Sequence, residues 1–317
     1  MKKALLFLMA CFMIVGFSSA AAAADDVKMV LATGGTAGTY YPFGGGMAKI
    51  WNNKIPGMNV TAQATGASIE NIRLMGKDDV ELALVQSDNI DWAFNATGPF
   101  KEKITKMGVI AVLYPEIVHI VVRADSKAKT FGDLKGLKVS VGAPGSGTEA
   151  NFRQLMEVYN LKKEDVKDQY LSYAESAEQF KDNNIDSFFM TTGVPNSALM
   201  DVANVRPIKL LAIEDKMIDS VTKKYPFLAA ATIPANAYKG QTEAVKTIAV
   251  MAVLVAHPKI NEDTAYKITK ALFDNQAELA SAHAKGKELK LETATKGVSI
   301  PFHPGAAKFY KEKGILK

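Results

Sequence analysis

Five short segments rich in glycine, hydroxyl and amide groups stand at the ends of apolar runs, where a ligand-holding loop belongs. The longest is TGGTAGTYYPFGGG at residues 33–46, which carries six glycines directly after the apolar run at 27–32. In it Thr36, Gly38, Thr39 and Tyr40 combine backbone that can approach a ligand closely with hydroxyls that can bond it. The second is Thr65-Gly66-Ala67-Ser68, with Asn71 three residues on and on the same side of the expected helix as Ser68. Gln86-Ser87-Asp88 is the third, in which Gln86 offers an amide and Asp88 either receives an ammonium group or braces a loop. Pro144-Gly145-Ser146-Gly147-Thr148 is the fourth, and Thr191-Thr192-Gly193 with Pro195 the fifth. Three of these segments open a helix, so unpaired N–H groups and the helix dipole would favour a carboxylate or phosphate there. Helix capping by Ser68 and Thr148 is the plainer alternative for any one segment.

Covalent chemistry is poorly provided for. Residues 142–148 have the outline of a nucleotide-binding loop but lack the lysine that contacts the phosphates. Pro144 and Thr148 occupy flanks where a nucleophile elbow around Ser146 needs glycine. His119, His257, His283 and His303 are scattered without metal-ligand spacing; His119 is expected to serve core or hinge packing. The expectation is a binding protein with no enzyme activity, no cofactor and no metal. An exported hydrolase with a spatially assembled nucleophile, or a solute-sensing module of a signalling receptor, are the alternatives.

The elements that must position these loops follow from hydrophobic periodicity. Apolar runs at 27–32, 80–85, 138–141, 185–190, 208–213, 229–233 and 247–256 read as strands, and alternation through Val60, Ala62 and Ala64 as another. Helices are expected over 46–54, 68–75, 149–159, 263–283 and 306–313. Runs at 108–113 and 117–123 read as two strands separated by Tyr114-Pro115-Glu116, with Tyr114 and Glu116 as hinge residues free of ligand contact. The alternation predicts an α/β fold of two lobes, each a mostly parallel sheet flanked by helices, with the ligand cleft between them. The expected boundaries are 25–116 with 236–317 for the first lobe and 117–235 for the second.

The ends and the composition narrow the setting. Residues 1–24 read as a signal peptide, with Lys2 and Lys3, an apolar stretch and small residues that allow cleavage near Ala24. The only cysteine, Cys11, lies in that leader, so the chain beyond the leader offers neither thiol catalysis nor thiolate metal sites. A net charge of +5, reduced by the loss of Lys2 and Lys3, is too mild to argue for nucleic acid. Lysine greatly outnumbers arginine, which occurs only as Arg73, Arg123, Arg153 and Arg206.

With these loops in place, the chain resembles the TAXI family of solute receptors that serve tripartite ATP-independent periplasmic (TRAP) transporters. The likeness runs through Gly35-Thr36-Ala37-Gly38-Thr39-Tyr40-Tyr41-Pro42, Thr65-Gly66-Ala67-Ser68 and Gln86-Ser87-Asp88. It continues through Asp133-Leu134-Lys135-Gly136, Gly145-Ser146-Gly147-Thr148, Tyr225-Pro226-Phe227, Ile233-Pro234 and Pro301-Phe302-His303-Pro304-Gly305-Ala306. It implies a type II-like periplasmic binding protein, monomeric, that closes on a small anionic or zwitterionic solute such as a glutamate-like amino acid. It further implies delivery to integral membrane TRAP permease subunits. The arginine-centred carboxylate motif of related TRAP receptors is not recognisable, so an anion would be held by N–H groups, hydroxyls and amides.

Overall fold

Two long antiparallel strands tie the molecule together, and every other element hangs from them. The computed structural model describes residues 27–317. The expected signal peptide, its cleavage near Ala24 and Cys11 lie outside the described residues. The chain begins β1 (Val27–Ala32), α1 (Tyr40–Lys54), β2 (Met58–Gln63), α2 (Ser68–Gly76), β3 (Leu82–Gln86), α3 (Ser87–Asn95) and β4 (Gly108–Arg123). It continues β5 (Lys138–Ser140), α4 (Gly147–Val158), β6 (Lys167–Gln169), α5 (Tyr173–Lys181), β7 (Ser187–Thr192), α6 (Ser197–Val205) and β8 (Ile208–Leu210). Then come α7 (Asp215–Lys224), β9 (Ala229–Ile233), β10 (Val245–Ala256), α8 (Glu262–Asp274), α9 (Gln276–Ala282) and α10 (Pro304–Glu312).

The strands lie in the order β2-β1-β3-β10-β4-β7-β5-β6, with β8 on β4 and β9 on β10. Pairings of β1 with β2 and β3, and of β5 with β6 and β7, are parallel. Each antiparallel pairing among the described residues involves β4 or β10. Two parallel sheets are therefore joined by a pair of crossing strands, and the fold is a two-lobe α/β fold.

Side-chain alternation shows where the crossing falls. In β3, Leu82 and Leu84 pack in one core and Ala83 and Val85 in another, so this strand is buried on both faces. In β4, residues up to Tyr114 pack in those two cores, whereas Ile117 and Val118 enter a different pair. Strand β10 returns between Val250, in a second-lobe core, and Ala252, in a first-lobe core. Burial on both faces explains why these strands read as nearly unbroken apolar runs.

Several expectations are corrected. Residues 108–123 form one strand, not two, and Pro115 is tolerated because β4 there pairs only with β10; β7 joins the other edge from Ile117. Helix α1 starts at Tyr40, six residues before its expected start at Gly46. Pro42 fits in its first turn, where N–H groups have no helical partner. Gly44 and Gly46 are packing glycines: an added Cβ would lie 2.7 Å from Thr33 Cγ2 and 3.1 Å from Ala282 Cβ, respectively. Helix α3 was not expected, and the helix foreseen over 263–283 is two, α8 and α9, broken at Asn275.

Candidate functional site

The parallel strands place their carboxyl ends against one another across the crossing, and the loops that leave them enclose a cavity. It is a small cavity of about 70 Å³, and about 550 Å³ when the open space at its mouth is included. From the first lobe its wall takes Gly38, Thr39 and Tyr40, the turn from Thr65 to Ser68, and Gln86 and Glu116. From the second it takes Ala143, Ser146, Gly147, Thr148, Ser172, Tyr173, Thr191 and Thr192.

The helix starts give this cavity its polarity. Ser146 caps α4 by accepting from Glu149 N at 3.0 Å. The Ser68 hydroxyl accepts from Gln86 N at 3.1 Å, and α2 has Ala67 at its cap position and so no side-chain cap. Among the described residues, the N–H groups of Ser68, Gly147 and Thr148 have no hydrogen-bond partner, and all three residues line the cavity. Two helix N-termini from opposite lobes thus present free donors to one space, an arrangement suited to an anionic group. The Thr191 hydroxyl is also buried there without a partner among the described residues.

One ionisable carboxyl faces these donors. Glu116, 4% exposed, accepts from the Tyr40 hydroxyl at 2.7 Å. Burial raises its carboxyl to about 8, against the lowering effect of the Tyr40 hydrogen bond and the nearby Gln86 amide. Burial and the Glu116 charge likewise raise the Tyr40 phenol well above its ordinary value. Among the described residues, no arginine lines the cavity. Arg73 lies over Phe100, Arg123 pairs with Asp186, Arg153 with Asp168, and Arg206 donates to Lys181 O.

The lobes touch on three sides of the cavity, so the cleft is closed. Ile69 N and Glu70 N of α2 both donate to Gly145 O, each at 3.1 Å. The hydroxyls of Thr39 and Thr192 lie 3.0 Å apart, Gly193 N donates to Thr39 Oγ1 at 3.2 Å, and Asn196 Nδ2 to Ala37 O at 3.1 Å. On the third side, Asn151 Nδ2 and Gln154 Nε2 donate to Asp88 Oδ2 at 3.0 and 3.1 Å.

Of the residues expected to hold a ligand, Gly38, Thr39, Tyr40, Ser68, Gln86, Ser146, Gly147, Thr148 and Thr192 come together on the cavity wall. Five do not line it. Thr36 is exposed on the loop surface. Asn71 is a brace, donating to Thr33 O and Leu84 O at 2.6 and 2.8 Å. Asp88 faces α4, and burial raises its carboxyl to about 6. Gly193 lies against Thr39 and Lys285, and Pro195 is exposed.

Glu116, expected to hinge the lobes without touching ligand, lines the cavity. The available signal is an acid inside an otherwise apolar strand, since a buried carboxylate needs a partner. Tyr173 is a further wall residue that sequence reasoning misses; its hydroxyl bonds Thr148 and accepts from Thr191 N at 3.0 Å. His119 is packed as foreseen, its ring nitrogens within 2.8 Å of Ile117 O and 2.9 Å of Tyr238 Oη, and burial lowers it to about 4. Among the described residues, no cluster of three or more His, Cys, Asp or Glu side chains could hold a metal ion.

Comparison with known proteins adds kinship to this geometry. The model of the NMT1-like family matches residues 31–314. A solved protein from Bordetella bronchiseptica RB50 is 16% identical, with a TM-score of 0.56 over 92% of this chain and 89% of that one. The alkanesulfonate-binding protein SsuA from Xanthomonas axonopodis pv. citri, solved with MOPS bound, is 14% identical, with a TM-score of 0.50 over 84% and 82%. A putative L-cystine ABC transporter protein from Listeria monocytogenes is 13% identical, with a TM-score of 0.50 over 83% and 98%. At these identities the likeness is one of fold, a mixed α/β fold with a central sheet flanked by helices.

Proposed function

The chain belongs to the NMT1-like family, and from that premise we propose that it is an extracytoplasmic solute receptor and not an enzyme. It captures a small carboxylate or amino acid, a glutamate-like one among them, by closing two lobes over it in the periplasm. The observation that carries this is the closed cavity into which α2 and α4, from opposite lobes, direct unpaired N–H groups. Such a site needs no basic side chain to hold a carboxylate, because the helix ends supply both the donors and a partial positive charge.

The lobes divide, in this proposal, at residues 116/117 on the way out. On the return, sequence places the boundary at 235/236. The packing of Tyr238, Val245, Ile248 and Val250 in second-lobe cores supports moving it into β10, near Met251. The site comprises Gly38, Thr39, Tyr40, Ser68, Gln86, Ser146, Gly147, Thr148 and Thr192, with Glu116 and Tyr173 added. Thr36, Asn71, Asp88, Gly193 and Pro195 support it from outside the wall.

Two partners are consistent with such a receptor. The TAXI-like segments favour a TRAP permease driven by an ion gradient, whereas the Listeria relative is described with an ABC transporter. Co-purification with each class of permease from its own membrane separates them.

The test of the receptor itself is calorimetry or thermal shift of the chain from Asp25 onward against organic acids, sulfonates and amino acids. A saturable binder at a hundred times its dissociation constant stabilises the protein by about 2.7 kcal/mol. Silence across the whole panel contradicts the proposal, and turnover of a bound compound would favour a hydrolase instead.

A further inference from the structure

Glu116 is, among the described residues, the one carboxyl in a cavity whose other polar groups are hydroxyls, amides and backbone N–H. Its surroundings are built for an anion. The Tyr40 hydroxyl donates to one oxygen at 2.7 Å, and the nearby Gln86 amide also favours the ionised form. Asn89 Nδ2 donates to Gln86 Oε1 at 3.2 Å, which holds the amide in place. Polar neighbours of this kind favour the charged form of a buried carboxyl, but they do not neutralise it.

Among the described residues, no side chain of the wall supplies the missing positive charge. The other titratable groups around Glu116 are Tyr40, Tyr114, Tyr173 and Asp88, none of them cationic, and Lys285. Lys285 is already paired with Glu288 at 2.7 Å and is not part of the cavity wall. Gln86 links the two ends of the site. It lies near Glu116, and an added Cβ on Gly147 would fall 2.1 Å from its Oε1. The carboxyl and the free N–H groups of the helix ends therefore lie on either side of one side chain.

We infer that Glu116 is a specificity-determining residue that receives a protonated amine of the solute, while the N–H groups of Ser68, Gly147 and Thr148 receive its carboxylate. The inference rests on the receptor function proposed above and narrows its solute to an amine-bearing carboxylate. A 2-oxo acid of the same skeleton would meet the helix ends equally well, yet offer Glu116 no ammonium group to pair with. Discrimination should therefore follow the amine.

The experiment titrates the wild-type protein and Glu116→Gln by calorimetry with the twenty common L-amino acids and the 2-oxo acids matched to them, L-glutamate with 2-oxoglutarate among them. The wild type should bind at least one amino acid at least ~100-fold more tightly than its 2-oxo partner, the scale of truncating one member of a buried charge pair. At pH 7, binding of the amine should release close to one proton, read as a dependence of the heat on the buffer's ionisation enthalpy. Glu116→Gln keeps the shape and hydrogen-bonding capacity but should lose both the preference and the proton release. Should that variant fail to fold, the wild-type preference and proton release decide alone. Equal binding of the paired compounds, or unchanged preference in Glu116→Gln, overturns the assignment. Binding of sulfonates or organic acids without any amino acid overturns it too while leaving the receptor standing, whereas no binding of any compound removes both.

Discussion

The Tyr40 hydroxyl and Glu116 Oε2 lie 2.7 Å apart, joining the first turn of α1 to the point where β4 leaves the first lobe. That bond fixes an acid at the floor of the cavity, where burial and not a nearby charge governs its titration.

Stability should carry the mark of this acid. In the folded protein Glu116 holds its proton up to about 8, while in the unfolded chain it loses it near the ordinary 4.5. Between those values the unfolded chain binds fewer protons, so stability falls as pH rises, by about 1 kcal/mol per pH unit. Denaturant unfolding of wild type and Glu116→Gln from pH 5 to 8 checks this. The wild type should lose stability relative to the variant across that window, and parallel curves would show that Glu116 is already ionised.

The contact of Asp88 with Asn151 and Gln154 joins the lobes without touching the cavity wall. Asp88→Ala should therefore shift the molecule toward an open form. Losing two buried hydrogen bonds to a carboxylate is expected to cost about 1–3 kcal/mol of closure, or about 10–100-fold in solute affinity. Small-angle scattering without solute should show a larger radius of gyration for the variant. An unchanged radius with unchanged affinity would make this contact incidental.

Gly147 belongs to the second lobe, yet an added Cβ there would meet first-lobe atoms: Gln86 Oε1 at 2.1 Å and Ser68 Oγ at 2.9 Å. The collision exists only when the lobes are closed. Gly147→Ala should fold with wild-type circular dichroism and bind solute at least ~10-fold more weakly, since closure then demands rearrangement of Gln86. Wild-type affinity in this variant would show that closure does not bring these residues together.

Gly44 makes a contrasting case, because its neighbours belong to its own lobe. Replacing a helical glycine by alanine ordinarily gains about 1 kcal/mol. Here the new Cβ would sit 2.7 Å from Thr33 Cγ2 and 3.2 Å from Leu31 Cδ2, and overpacking of this kind costs about 1–3 kcal/mol. Gly44→Ala should be destabilised in chemical unfolding, and Thr33→Ser, which removes Cγ2 and keeps the hydroxyl bonded to Gln63 O, should restore it.

Much of this architecture is legible in the sequence because its central strands, β3, β7 and β10, are buried on both faces and read as apolar runs. β1 and β9 fall where their apolar runs stand, and Ser68 opens α2 as its hydroxyl-and-glycine turn suggests. What the sequence hides has physical causes. Pro115 and Glu116 look like a break between strands, yet a long strand tolerates a proline where one edge is unpaired. Gly44 and Gly46 belong by composition to a ligand loop, whereas close helix packing is what requires them. Asn71 and Asp88 have the right spacing for a site but spend their hydrogen bonds on carbonyls and on α4. Spacing along a helix says which residues share a face; it does not say which neighbour that face meets.

The central claim, that the closed cavity is the seat of a small solute, is tested most directly by native mass spectrometry of the protein purified without refolding, beside Gly147→Ala. The wild type should carry one small amine-bearing carboxylate per chain, released on denaturation, and the variant little or none. A wild-type protein free of any small molecule, and unresponsive to the whole panel of acids and amino acids when these are added back, would contradict it.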